Sequence, residues 1–206
     1  PEPERLAAEK DTLGLYLTGH PIIAYEEEIS RFTRAKLVNL KPAPGSTAVA
    51  GLVVNVRTVT SRRGRMAIVT LDDRTARIEV VVYSDVYQQY RDVLTKDRLL
   101  VVQGEVTLDE VTGLSAMIAN ELLDLDAARA VFARRLVIRL SQPAFNNGFV
   151  ADLSKALEGY RDGNTPVSIE YCRDDAAGCV NLGDEWRVKP TQELISRLRE
   201  LGRADW

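Results

Sequence analysis

The chain has 206 residues, 45% apolar and 28% charged, with a formal net charge of −3. That is an ordinary globular composition, long enough for two modest cores, and its acidity excludes a protein that coats duplex DNA by charge alone. No apolar run approaches the roughly 20 residues needed to span a bilayer, and the first residues lack the basic and apolar regions of a signal peptide, so no membrane partner and a cytoplasmic location are expected. The first residue is Pro1 rather than methionine, which points to a piece of something longer or to processing.

Residues 3–18 have helical spacing, with Leu6, Leu13 and Leu17 on one side, and Gly19-His20-Pro21 stops that helix. A second helix is expected over 21–34, with Ile22, Tyr25, Ile29 and Phe32 on one face. His20 is the single histidine, and its place at a helix end favours capping or packing over catalysis. Residues 40–46 contain two prolines and a glycine and read as a linker.

Five strands are then predicted: 49–60, 66–72, 77–83, 98–108 and 114–123. In the first, Gly51 supplies a bend; in the third, Ile78, Val80 and Val82 alternate with Arg77, Glu79, Val81 and Tyr83. In the fourth, Leu100, Val102, Val106 and Leu108 share a face, and Gly104 marks a kink. Between strands three and four a helix over 85–94, with Ser84 as N-cap, would plug one end of a barrel. This element order is that of a five-stranded OB-fold, a barrel that commonly holds single-stranded nucleic acid. A connecting helix over 124–132 follows, then a small βαβββα unit: strand 135–140, helix 147–160, strands 166–172, 178–182 and 186–189, and a final helix carrying Leu194, Ile195, Leu198 and Leu201 and ended by Gly202. The expected class is therefore a β barrel plus α+β, divided into a lead-in (1–46), a barrel domain (47–125) and a small α+β domain (126–206).

Residues for catalysis are few. Asp72-Asp73, Asp109-Glu110 and Asp174-Asp175 each fall in a predicted turn, where acidic side chains serve solvation and local hydrogen bonds. Metal-assisted phosphoryl transfer needs carboxylates converging from separate elements. Cys172 and Cys179 have no second pair and no histidine cluster, so two free thiols across a hairpin are expected rather than a zinc site. No cofactor and no catalytic residue are expected.

Nucleic-acid binding has better candidates. An OB-fold uses the outer face of strands two and three and the loops after strands one and four. Arg62, Arg63 and Arg65 occupy the first loop, Arg77 and Tyr83 project from strand three, and Arg57 lies on the outside of strand one. Arginine pairs with phosphate and stacks on bases, and tyrosine offers a stacking surface. Against this, residues 49–110 carry nine basic and nine acidic side chains. Weak, strongly salt-dependent, sequence-tolerant binding to single strands is expected; the alternative is a structural or protein-interaction piece that touches no nucleic acid.

Lys10-Asp11-Thr12-Leu13-Gly14-Leu15-Tyr16-Leu17-Thr18-Gly19-His20-Pro21-Ile22 resembles the segment before the OB domain in the alpha subunit of bacterial DNA polymerase III. The resemblance continues through Ala50-Gly51-Leu52-Val53, Thr70-Leu71-Asp72-Asp73-Arg74, Lys96-Asp97-Arg98 and Trp186-Arg187-Val188. It implies the C-terminal part of a DNA-directed DNA polymerase: an OB domain near the single-stranded template, then a domain that binds the tau subunit of the clamp loader within the holoenzyme. It also implies that the catalytic aspartates lie upstream, so that this piece is not itself an enzyme. Gln192-Glu193-Leu194-Ile195-Ser196 faintly resembles a clamp-binding peptide but is better assigned to packing on a helix. Family members continue into a short acidic and apolar tail where this chain stops at Asp205-Trp206, which leaves Trp186, Leu198 and Trp206 as the expected contacts with tau.

Overall fold

The computed structural model describes residues 20–62, 64–109, 113–141, 148–172, 177–201 and 204–205. The chain divides into two compact units, Pro1–Asp124 and Leu125–Trp206. The helix expected over 3–18 lies outside the described residues.

In the first unit five strands, β1 (Ala43–Ser61), β2 (Gly64–Asp72), β3 (Arg77–Val82), β4 (Leu99–Leu108) and β5 (Ser115–Leu123), close into a barrel in the order β1-β2-β3-β5-β4. The OB-fold expectation holds. β1 is long because it serves two neighbours: its first half pairs with β4 (Val49 opposite Val102) and its second half with β2 (Val56 opposite Val69). The turn of allegiance falls near a register shift between Val53 and Asn55, which re-aims the strand around the barrel. β3 closes the circle by pairing in parallel with β5.

The supposed linker is partly strand. β1 starts at Ala43, opposite Val106, and Pro44 and Gly45 form a bulge before Ser46 rejoins the ladder opposite Glu105. Proline has no N–H to give a ladder and Gly45 sits at φ +96, so the same residues that read as a linker make a bulge at a strand end.

Alternation fills the interior. Ala67, Val69 and Leu71 of β2 and Ile78, Val80 and Val82 of β3 point inward with Val49, Val53, Leu100, Val102, Met117 and Leu122. Each large side chain so buried contributes roughly 1.5–3 kcal/mol. Leu108, expected on one face with Leu100, Val102 and Val106, is 59% exposed and lies two residues beyond Val106, where the pairing of β4 with β1 ends. Gly104 is opposite Ala119 at a register shift in β4, and a Cβ there would overlap the backbone carbonyl of Ile118.

Helix α1 (Glu26–Phe32) is preceded by a 3-10 turn, Pro21–Tyr25, where one continuous helix was expected. The first turn is closed by i→i+3 bonds such as Ile23 N–H to the His20 carbonyl, 2.9 Å. His20 caps this turn by accepting the Ile22 N–H at Nδ1, 3.3 Å, which is the capping role expected of it. Helix α2 (Ser84–Tyr90) has Tyr83 as its N-cap, not Ser84, and makes no side-chain cap bond. With the turn that follows, it packs Val86, Tyr87, Tyr90 and Val93 against the barrel core. Asp97, at φ +65, donates its N–H to the Val53 carbonyl at 2.8 Å, so Lys96-Asp97-Arg98 is the tight turn that seats β4 against β1.

The second unit starts with helix α3 (Leu125–Phe132). A sheet of order β8-β7-β6-β9 follows, formed by β6 (Leu136–Ser141), β7 (Val167–Cys172), β8 (Ala177–Asn181) and the two-residue β9 (Ala204–Asp205). β6 and β7 are parallel, joined through helix α4 (Phe149–Glu158); helix α5 (Gln192–Glu200) completes the unit. Phe149, Leu153 and Leu157 of α4 and Leu194 and Leu198 of α5 form one core with Leu136, Ile138, Leu140 and Val167. Arg129, only 2% exposed, joins α3 to α5 by donating to Asp126 Oδ1 at 2.9 Å and Gln192 Oε1 at 2.8 Å.

Two details depart from the expected βαβββα order. Residues 186–189 are not a strand: Asp184–Trp186 is a 3-10 turn, and Val188 makes a single bridge to Thr165. Val188 is fully buried there, and a Cβ on Gly163 would overlap its backbone, so close packing replaced a ladder. The fourth strand is instead β9, which pairs antiparallel with β6. The hairpin register also separates the cysteines, placing Cys172 opposite Ala177 and Cys179 opposite Glu170.

Candidate nucleic-acid interface

Because β1, β2 and β3 alternate, the residues that do not fill the barrel form a regular outer grid. Arg57 of β1 stands opposite Ile68 of β2, Ile68 opposite Val81 of β3, and Val81 opposite Ile118 of β5. The next row is Asn55, Thr70 and Glu79, and beyond it Asp72 faces Arg77. On the other side of the apolar row, Val59 faces Met66. Tyr83 follows β3 directly and is 51% exposed.

The expected basic side chains do not all behave alike. Arg57, Arg62 and Arg65 are exposed, and among the described residues none of them has an ion-pair partner. Arg62 lies in the β1–β2 turn, Gly64 opens β2 at φ +110, and Arg65 follows opposite Thr60, on the side of β2 that further along carries Ala67, Val69 and Leu71. Arg63 lies outside the described residues. Arg77 differs: its Nε donates to Asp72 Oδ2 at 2.7 Å, so its charge is already balanced on the face it was expected to serve. Glu79 is exposed two residues further on, as the alternation predicts.

Sequence reasoning placed Asp72 and Asp73 in a turn but not their partners. Asp73 is the anchor of that turn: it accepts the N–H groups of Leu37 (2.8 Å), Thr75 (2.9 Å) and Ala76 (3.1 Å) and the Thr75 hydroxyl (2.6 Å). Burial alone would push its carboxyl up; the hydroxyl and three amides outweigh burial and hold it below the ordinary carboxylate range. The apolar row of Ile68, Val81 and Ile118 was also missed, although the period-2 pattern held the signal once the Asp72–Arg77 turn set the register. Leu108 and Leu114, 59% and 68% exposed, flank the β4–β5 turn, the other loop an OB-fold uses.

In the second unit the three expected contact residues separate. Trp186 is half-buried against the core, and the guanidinium carbon of Arg161 lies 3.8 Å from its ring centroid. Leu198 is 1% exposed, so it is a core residue of α5 and presents no surface. Helical spacing fixes the inward stripe but not which member of it reaches solvent. Trp206 lies outside the described residues. Leu194 and Ile195 of the clamp-like stretch are buried, as the packing assignment predicts. Among the described residues there is no group of three or more His, Cys, Asp or Glu side chains that could hold a metal ion, and no helix long and apolar enough to cross a membrane.

Residues 152–202 match the family described as DNA polymerase III subunit alpha, C-terminal domain, and residues 47–122 match an OB-fold nucleic acid binding domain. The DNA polymerase III subunit alpha of Vibrio cholerae is 43% identical over 204 residues, which is 98% of this chain and 18% of that protein. Those of Pseudomonas aeruginosa and Escherichia coli K12 are each 40% identical, over 96% and 98% of this chain. The chain thus spans less than a fifth of the length of these curated relatives. Among solved structures, asparaginyl-tRNA synthetase from Pyrococcus horikoshii covers 45% of this chain and 23% of its own at 17% identity and a TM-score of 0.36. A replication protein A heterotrimer bound to ssDNA covers 39% and 57% at 16% identity and a TM-score of 0.31.

Proposed function

The chain belongs to the DNA polymerase III alpha-subunit family, matching its C-terminal region, and we propose that it serves there as a two-domain accessory module without chemistry of its own. In this reading residues 47–125 hold single-stranded template on the outer face of β1, β2 and β3, and residues 126–206 bind the tau subunit of the clamp loader. The single observation that carries the first part is three exposed arginines without ion-pair partners, Arg57 on the outer face and Arg62 and Arg65 at the tip of the β1–β2 hairpin that extends from it, with the exposed Tyr83 at the end of β3. Phosphate pairs with the arginines, and bases stack on Tyr83 and lie along Ile68 and Val81, contacts that any base can make. Binding is therefore weak, tolerant of sequence and steeply dependent on salt.

Fluorescence anisotropy with a labelled single-stranded oligonucleotide checks this. Each phosphate contact contributes about 0.7 to the slope of log affinity against log salt. The triple variant Arg57→Ala, Arg62→Ala, Arg65→Ala is expected to flatten that slope by roughly 2 and to lower affinity at 50 mM salt at least tenfold. Equal binding by wild type and variant, or none by wild type at low salt, sinks the DNA part.

For the second domain the proposed contact is the surface carrying Trp186 with Arg161 stacked on it, together with Trp206, while Leu198 braces α5 from beneath. Pull-down by the C-terminal region of tau is expected, and weakened by Trp186→Ala; a monodisperse protein that captures no tau removes this assignment. Extension of a primed template should not occur with this region alone.

A second reading, a barrel that packs on protein and touches no nucleic acid, is favoured by the apolar row Ile68, Val81 and Ile118 and by the balance of charge. The same titration separates the two.

A further inference from the structure

Arg77 lies on the face proposed to bind DNA, yet its charge is held by a neighbour. Asp72 and Arg77 are directly opposed at the end of the β2–β3 ladder, and Arg77 Nε donates to Asp72 Oδ2 at 2.7 Å. The carboxylate is well sheltered, its side chain 16% exposed, whereas the Arg77 side chain is 65% exposed. Asp72 is itself fixed by one further hydrogen bond, with a histidine nearby. Its Oδ1 accepts the Arg74 N–H at 2.8 Å, and His20 Nε2 from the lead-in sits 4.0 Å from the same oxygen. The His20 ring accepts the Ile22 N–H at Nδ1, so in the neutral ring Nε2 carries the hydrogen and is turned toward Asp72. Arg74 is engaged elsewhere, donating to Glu26 at 3.2 Å, and Glu26 also takes Lys36 at 2.6 Å.

We infer that Asp72 is an affinity-limiting residue of the nucleic-acid face: a built-in counter-ion that keeps Arg77 from acting as a phosphate contact. This rests on the single-strand reading above. A phosphate approaching Arg77 meets a neutral pair rather than a cation, and the sheltered carboxylate is held in place by the Arg74 amide. Asp72 is already in place beside the guanidinium, whereas an incoming phosphate must be ordered from water at an exposed side chain, so the internal counter-ion lowers what that contact gains. Of the arginines at and beside this face that the structure describes, Arg57, Arg62 and Arg65 are left to meet phosphate.

The test is Asp72→Asn, which keeps the acceptor for the Arg74 amide and removes the charge. If Arg77 gains one phosphate, single-strand affinity should rise roughly eightfold at 50 mM salt and threefold at 200 mM, with the log–log salt slope steepening by about 0.7. The double variant Asp72→Asn, Arg77→Gln should cancel the gain, and Asp92→Asn, the same charge change at an exposed site, should not reproduce it. Unchanged or weaker binding by folded Asp72→Asn overturns the inference while leaving the DNA reading intact; absence of binding by wild type sinks that reading instead. If Asp72→Asn does not fold, Arg77→Gln alone decides. It should lower affinity less than twofold, and a loss equal to that of Arg57→Ala overturns the inference.

Discussion

Gly104→Ala is expected to destabilise the barrel by at least about 3 kcal/mol, read as a fall in the urea midpoint at unchanged m-value. The cause is local. The new methyl would occupy the space of the Ile118 carbonyl, in the strand hydrogen-bonded to β4. Backbone cannot yield as a flexible side chain would, so β4 and β5 must separate where the ladder already shifts register. Both strands also line the core through Val102 and Met117, and the damage therefore spreads inward. Gly45→Ala is the contrast: φ +96 strains it, but open space surrounds its would-be Cβ, and a cost near 1 kcal/mol is expected. Comparable losses at the two glycines would contradict the close-approach explanation.

Asp73→Ala should remove roughly 2–4 kcal/mol, because one carboxylate satisfies three backbone N–H groups and a hydroxyl. The contact with Leu37 is the one that reaches beyond the turn; without it the lead-in loses one of its hydrogen bonds to the barrel. Acid adds a second signature. Folding holds this carboxyl below its ordinary value, so the ionised form favours the folded state. Its contribution is complete above about pH 5, declines as pH falls below the unfolded value of about 3.9, and is gone once pH passes below the folded value. Asp73→Asn should therefore be less stable than wild type at neutral pH and converge with it in strong acid. Parallel stability curves down to pH 2 would show that the carboxylate is not ionised in this role.

The barrel was legible in the sequence where alternation was strict, as in Ile78, Val80 and Val82, because one buried face leaves a strand a single register. It was less legible where a residue type serves two ends. Pro44-Gly45 reads equally as linker or bulge, and only pairing with Val106 and Glu105 decides. The strand expected at 186–189 failed for a different reason: Val188 is buried as a strand residue would be, but its neighbour across the gap is Thr165 alone, held there by the bareness of Gly163. Composition cannot report a contact made by the absence of a side chain.

The candidate site divided along a similar line. Exposure of Arg57, Arg62 and Arg65 follows from their positions in a strand and a turn. Neutralisation of Arg77 depends on a cross-strand neighbour five residues away, visible only once the turn length is known. Leu198 shows the converse error, since an inward stripe and a contact surface look the same in helical spacing until one of them is covered.

Barrel closure also sets a schedule. β3 joins β5, Val81 opposite Ile118, only after α2 and β4 have been laid down between them. A chain emerging from the ribosome completes β1, β2 and β3, with Arg57, Tyr83 and their grid, before the strands that roof their inner side exist. Until Met117 and Leu122 arrive, Val69, Val80 and Val82 have no lid, and the three-stranded meander is a sheet with an oily back. The surface that would meet DNA is thus synthesised first and stabilised last, so its appearance during folding should be timed by β5, a distant and slow partner.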